Sequence, residues 1–174
     1  MKCVLFCQNN YAFGILEPIK TYLVGNGHEY IWYVNPKIIQ DYPYKNEPYT
    51  TSIGELITYQ SDAIFVPGNE VPHYLRGVKV QVFHGLAGEK KGHFRIRHYF
   101  DLYLTQGPFF TKRFMEFKNK YKDFEVIETG WPKLDVYGTQ KAKYEAEKQT
   151  LLQILLYHPR CQQWLLHLRI LNYC

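Results

Sequence analysis

The chain has 174 residues, of which 46% are hydrophobic and 17% aromatic, and its formal net charge is +5. This composition excludes an intrinsically disordered protein, and the length fits one domain better than two complete ones. The 21 Lys and Arg residues are offset by 16 Asp and Glu residues, which favours a local anionic site over a general nucleic-acid coat.

The cysteines and the amino terminus indicate a reduced, cytosolic protein. The four cysteines lack the spacing of a zinc site or of a disulfide framework. The apolar stretch at the amino terminus is too short for a signal peptide or a membrane span. We therefore expect no metal, and a chain that is neither exported nor inserted.

Short apolar runs alternate with amphipathic stretches along the chain. Six runs have the length and the β-branched or aromatic content of buried strands: 4–7, 30–34, 63–66, 78–83, 101–105 and 124–127. Three stretches have helical signals: 15–24, 52–59 and 108–121. The alternation predicts an α/β fold with a doubly wound, mostly parallel sheet flanked by helices. The Pro-rich and Tyr-rich stretch 35–50 has no clear periodicity and is interpreted as a loop.

The predicted strands end in polar or glycine-containing turns, which are the candidate site. In open α/β sheets, ligands bind at the carboxyl ends of the strands. The turns are QNN (8–10), PGN (67–69), HG (84–85), QG (106–107) and TG (129–130). The first turn lacks the GxGxxG spacing of a dinucleotide-binding loop, and no cofactor is expected.

His84 follows the apolar run 78–83 and precedes Gly85. An imidazole at the end of a strand can accept a proton from a substrate, and a glycine lets a phosphate group approach the backbone closely. Taken alone, a His-Gly pair is more often structural, with the ring bonded to a backbone carbonyl. We consider both interpretations of His84.

The segment after His84 is rich in cations and glycines. Lys90, Lys91, Arg95 and Arg97 are predicted to contact phosphate oxygens, although a solvated charged loop is the more common meaning of such a run. Further candidates for substrate binding, each also explained by turn or helix-cap chemistry, are Gly85, Asn10, Gly107, Gly130 and Asp135.

Three motifs in chain order resemble the CDP-glycerol glycerophosphotransferase family, the teichoic-acid polymerase and primase group. They are QVFHGLAGEKKG (81–92), FDLYLTQG (100–107) and ETGWPKLD (128–135). The family shows a strand into His-Gly with a Lys shortly after, a Phe-Asp-x-Tyr strand ending near Gly, and Gly-aromatic-Pro before Leu-Asp. The resemblance covers about residues 1–157 and favours a catalytic His84.

The resemblance implies the Rossmann-like first lobe of a GT-B transferase, with residues 1–157 as the acceptor-side lobe. It implies that an acceptor hydroxyl attacks the β-phosphate of CDP-glycerol, that CMP leaves, and that a phosphodiester of a cell-surface polymer forms. His84 would accept the hydroxyl proton. The implied partners are a CDP-glycerol-like donor, a lipid-linked glycerol-phosphate or glycan acceptor and the inner membrane surface, with a cytoplasmic, peripheral location and no nucleic acid.

Residues 158–174 depart from the family's pattern. The stretch 149–174 contains no Asp, Glu, Lys or Gly. One permitted coding of the tail, with a single nucleotide restored after the Tyr157 codon, reads as a continuation close to the family's pattern. We therefore expect an aberrant, frameshifted tail, a missing donor-binding lobe and a chain that is inactive alone. The alternative is an amphipathic terminal helix that docks on a membrane or a partner.

Other functional classes remain open. A nucleotide-sugar glycosyltransferase or epimerase could share the GT-B architecture, and a lobe alone could be a non-catalytic module that binds a phosphate ligand. An RNA-binding domain fits least, because the single run of cations and aromatic residues is short.

Overall fold

The strands and helices of the computed structural model follow the alternation of apolar and amphipathic segments. The structure describes residues 1–85 and 94–137. The strands are β1 (Lys2–Cys7), β2 (Glu29–Val34), β3 (Tyr49–Thr50), β4 (Ala63–Val66), β5 (Val78–Val82), β6 (Leu102–Thr105) and β7 (Glu125–Glu128). The α-helices are α1 (Tyr11–Gly25), α2 (Ile53–Tyr59) and α3 (Pro108–Tyr121), and 3₁₀ helices span Pro36–Asp41 and Pro132–Tyr137.

The seven strands form one sheet in the order β3-β2-β1-β4-β5-β6-β7, and every neighbouring pair is parallel. This confirms the predicted α/β, Rossmann-like fold. The direction in which the chain adds strands reverses between β1 and β4. The carboxyl ends of these two strands therefore flank the crevice where ligands of doubly wound folds bind.

Helices cover both faces of the sheet. Val4 and Phe6 of β1 belong to an apolar cluster that includes Leu56 of α2 and Phe110 and Phe114 of α3. The intervening residues of β1 point to the opposite face. On that face α1 packs on β1 and β2. The chain adds β2 on one side of β1 and β4 to β7 on the other side, so right-handed connections put the helices of the two halves on opposite faces.

Helix α1 begins earlier than the apolar periodicity predicts. Its first turn closes at Tyr11, where the amide of Ala12 donates to the carbonyl of Asn9 at 3.0 Å, and Ala12 is buried. The turn after β1 therefore contains only residues 8–10, and Gly14 lies inside the helix.

The segment 35–50, which has no periodicity, is fixed by aromatic packing. Trp32 of β2 stacks on Tyr44 with ring centroids 4.9 Å apart. Glu47 accepts hydrogen bonds from Trp32 Nε1 at 2.7 Å and from Lys20 Nζ at 2.9 Å. These contacts hold the segment against α1 and β2 and place the short strand β3 at the sheet's edge.

The segment 94–99 runs along α3 towards the amino end of β6. Phe94 stacks on Phe110 near the start of α3, with ring centroids 5.4 Å apart. His98 contacts Tyr121 at the end of α3, at 5.0 Å. The segment therefore carries the chain from the carboxyl edge of the sheet to its amino edge.

The predicted domain boundary after Tyr157 and the tail 158–174 lie outside the described residues. The described residues belong to one unit, Met1–Gly138. In that part of the chain, no helix has the length and apolar character needed to cross a membrane.

Candidate functional site at the carboxyl edge

Five turns meet at one edge of the sheet, because parallel strands end on the same side. They follow β1, β4, β5, β6 and β7 and contain residues 8–10, 67–69, 83–85, 106–107 and 129–131. The first two turns flank the crevice between β1 and β4.

His84 lies beside this crevice, and its ring is half-buried. Its Nδ1 lies 3.0 Å from the carbonyl oxygen of Pro67, in the turn after β4. A carbonyl only accepts hydrogen bonds, so in the neutral ring Nδ1 carries the proton and Nε2 the lone pair. The ring also packs against Tyr11 at the start of α1, with centroids 5.1 Å apart. His84 is therefore held in the tautomer that a proton acceptor at Nε2 needs.

The bond to Pro67 is also one that a structural histidine makes. The ring is nevertheless at the sheet's edge and not enclosed in the core. Gly85, the next residue, is half-buried, and no described atom lies within 4 Å of the position that a Cβ would occupy. Among the described residues, the space beside its Cα is therefore open.

Two side chains from later turns hold the backbone on both sides of His84. Trp131 Nε1 donates to the carbonyl of Phe83 at 2.9 Å. Gln106 Nε2 donates to the carbonyl of Gly85. Each donor belongs to a different one of the motifs singled out in the sequence. The three motifs therefore meet at this turn.

The side chain of Gln81 on β5 bonds to the turn after β4, residues 67–69. Its side chain is 4% exposed. Nε2 donates to the carbonyl of Gly68 at 2.9 Å and to Oδ1 of Asn69 at 3.1 Å. Sequence reasoning missed this residue. Its signal was a polar side chain inside the otherwise apolar end of a strand.

Four predicted substrate-binding residues have different surroundings. Gly107 immediately precedes α3, and Gly130 follows β7 with φ +79°, a conformation that favours glycine. Asn10 donates from Nδ2 to a carboxylate oxygen of Asp41 at 2.7 Å. Asp135 lies in the second 3₁₀ helix, which packs against α1. The structure brings Asn10 and the two glycines to the same edge as His84.

The two arginines lie along the segment beside α3. Arg95 is exposed, and its carbonyl accepts a bond from Arg97 Nη1 at 3.4 Å. Arg97 lies near the hydroxyl of Tyr103, as does Asp123, which precedes β7. The structure thus groups Arg97 with the amino edge and not with His84, because the packing of Phe94 directs the segment along α3.

Lys90 and Lys91 lie outside the described residues, so their contact with phosphate stays a prediction. Within 1–85 and 94–137, no group of His, Cys, Asp or Glu residues is arranged to hold a metal ion. Cys3 and Cys7 of β1 are buried, and burial raises the pKa of Cys3 to about 12 and that of Cys7 above its ordinary value. Neither thiol supplies a nucleophilic thiolate at neutral pH.

Comparison with protein-family models, with curated proteins and with solved structures gives no match to this chain. The residues of the carboxyl edge are therefore interpreted from their geometry and from the order of the motifs.

Proposed function

We propose that this chain is the acceptor-side lobe of a transferase that joins glycerol phosphate, or a related polyol phosphate, from a CDP-activated donor to an acceptor hydroxyl. The observation that carries the proposal is the meeting of three separated motifs around His84. Trp131 and Gln106 hold the carbonyls before and after this residue. A histidine with only a structural role needs one bond partner, whereas here the backbone on each side is held as well.

In the proposed reaction, an acceptor hydroxyl oxygen attacks the β-phosphorus of CDP-glycerol. A new oxygen–phosphorus bond forms, the bond from that phosphorus to the bridging oxygen breaks, and CMP leaves with the electron pair. His84 Nε2 accepts the hydroxyl proton. Phosphoryl transfer depends mainly on positioning and charge stabilisation. A general base contributes about 10²- to 10⁴-fold to such a rate.

The phosphate of the acceptor would lie against the open backbone of Gly85. Lys90, Lys91 and Arg95, which follow His84 in the sequence, would neutralise its charge. Because glycine has no side chain, Gly107 and Gly130 would leave room for the acceptor at the same edge. Arg97 is not part of the proposed site because it lies at the amino edge.

The proposed partners follow the family resemblance. They are a CDP-glycerol-like donor and a lipid-linked glycerol-phosphate or glycan acceptor at the inner membrane surface, in the cytoplasm, with no nucleic acid. A second lobe would hold most of the donor nucleotide. The property to test in this chain is therefore the binding of the acceptor at His84.

Acylation of His84 by diethyl pyrocarbonate tests the proposal without requiring turnover. The reagent acylates an imidazole nitrogen that carries a lone pair, and peptide mass spectrometry locates the product. We expect sn-glycerol 3-phosphate to protect His84 at concentrations where glycerol and inorganic phosphate do not. His98 serves as the internal reference. Equal protection of both histidines, or equal protection by phosphate alone, would contradict a polyol-phosphate site at His84.

A further inference from the structure

Gln81 is a buried polar residue directly below the proposed site. Burying an amide costs free energy unless its hydrogen-bonding groups find partners. Nε2 has two such partners, the Gly68 carbonyl at 2.9 Å and Asn69 Oδ1 at 3.1 Å. Gln81 is 4% exposed, so the bond to Gly68 is shielded from water, and the bond to the half-buried Asn69 is partly shielded. An apolar residue would fill this strand position without needing any partner.

Both bonds of Gln81 reach the turn that orients His84. The carbonyl of Pro67 accepts the bond from His84 Nδ1 at 3.0 Å. Gly68 and Asn69 are the next two residues of that turn. Strand β5 and the residues after it therefore contact the turn through two side chains, Gln81 in the interior and His84 at the edge. A rotation of the turn would move the Pro67 carbonyl out of line with Nδ1.

We propose that Gln81 is a positioning residue that fixes neutral His84 as the Nδ1–H tautomer by holding the turn 67–69. Free histidine in water favours the Nε2–H tautomer, in which Nε2 has no lone pair for a proton. The Pro67 carbonyl reverses this preference only while it is aligned with Nδ1. The consequence for proton transfer rests on the proposed function, whereas the tautomer itself does not.

Long-range ¹H–¹⁵N correlation spectra of the full-length, ¹⁵N-labelled chain measure the tautomer directly. Spectra are recorded at a pH where the histidine rings are neutral, and His84→Gln assigns the two ring nitrogens by the loss of their signals. In the wild-type chain we expect one protonated Nδ1 shift and one unprotonated Nε2 shift. Gln81→Met keeps the length of the side chain and removes its donors. In this variant we expect both shifts to move towards those of free histidine.

Gln106→Met is the matched control. It removes a side-chain bond to the Gly85 carbonyl, also next to His84, without touching the turn 67–69. We expect the tautomer to be unchanged in this variant. Equal shifts in the two variants, or no shift in a folded Gln81→Met, would overturn the proposal.

Asn69→Ala keeps the proposal testable if Gln81→Met does not fold. Asn69 is half-buried, and this substitution removes one of the two acceptors of Gln81. We expect a smaller shift in the same direction, and an unchanged tautomer would overturn the proposal. A failure of sn-glycerol 3-phosphate to protect His84 bears on the proposed function alone, because the tautomer is measured without ligand.

Discussion

Two histidines from one short segment lie at opposite edges of the sheet. His84 Nδ1 donates to the backbone carbonyl of Pro67 at 3.0 Å, whereas His98 Nδ1 lies 2.5 Å from a carboxylate oxygen of Asp123. A carbonyl accepts only from the ring's N–H and so selects one neutral tautomer, whereas a carboxylate also pairs with the protonated ring. The ring at the carboxyl edge is thus held in one neutral tautomer, whereas the ring at the amino edge contacts a partly exposed carboxylate.

The surroundings of the two histidines also differ: hydrogen bonds to the backbone dominate at the carboxyl edge, and packing of aromatic rings dominates at the amino edge. At the carboxyl edge, Gln106 and Trp131 donate to turn carbonyls and fix the backbone. At the amino edge, Phe100 and Phe124 pack against the ring of Tyr103, at 5.7 Å and 4.7 Å. We infer that the amino edge contributes mainly stability and that the carboxyl edge contributes the geometry of a site.

Truncation of the amino-edge packing has the largest expected effect. Phe124 is 4% exposed, and Phe124→Ala removes its contact with Tyr103 and leaves a cavity. We expect the free energy of unfolding to fall by about 3–5 kcal/mol, measured by urea denaturation. The neutral tautomer of His84 should not change in the folded fraction. A loss below about 1 kcal/mol would show that this packing is not what stabilises the amino edge.

Removal of the side-chain hydrogen bond to the Phe83 carbonyl, at the carboxyl edge, has a smaller expected effect. Trp131→Phe keeps an aromatic ring but deletes the N–H that bonds to Phe83. We expect a loss of about 0.5–1.5 kcal/mol in the free energy of unfolding. Amide exchange at residues 83–85 should also become faster. Unchanged exchange there, with unchanged stability, would mean that this bond does not hold the turn.

The exposed contact between His98 and Asp123 at the amino edge, which is an ion pair only when the ring is protonated, is expected to contribute less still. The side chains of His98 and Asp123 are 50% and 36% exposed, so water and salt screen their interaction. We expect His98→Gln to lower the free energy of unfolding by about 0.2–1 kcal/mol at low salt and by less at high salt. A larger loss that salt does not reduce would place this pair among the main stabilising contacts.

The smallest expected effect at neutral pH comes from the titration of Tyr103, which affects stability only in alkaline solution. Burial, with a smaller contribution from the charge of Asp123, raises the pKa of Tyr103 above its ordinary value. Above about pH 10 the unfolded chain releases this proton while the folded chain keeps it, so the free energy of unfolding falls as the pH rises. Tyr103→Phe should make this fall less steep in urea denaturation series at increasing pH. An unchanged slope would indicate that Tyr103 does not titrate differently in the folded chain.

The sheet could be predicted because the lengths of apolar runs and their alternation with amphipathic segments decide this fold class. Strand β4 and helix α3 have the predicted ranges, Ala63–Val66 and Pro108–Tyr121. Strand β3 was missed because two residues, Tyr49–Thr50, carry no periodic signal. The elements that could be predicted depend on local sequence, whereas β3 is placed by the contacts of segment 35–50 with α1 and β2.

The candidate site could be predicted only in part. The position of His84 follows from the end of its strand, but the partner of its ring depends on β4 lying next to β5. The role of Gln81 depends on the same neighbour. The path of Arg97 is set by the contact of Phe94 with α3, and such contacts between distant segments leave no trace in periodicity.

Titration of the ¹⁵N-labelled chain with sn-glycerol 3-phosphate tests the central claim most directly, because it compares the two edges in one experiment. The account predicts that the amide shift changes concentrate at residues 8–10, 67–69, 83–85 and 106–107. It also predicts that inorganic phosphate produces a weaker response. Shift changes centred on His98 and Asp123, or none at either edge, would contradict it.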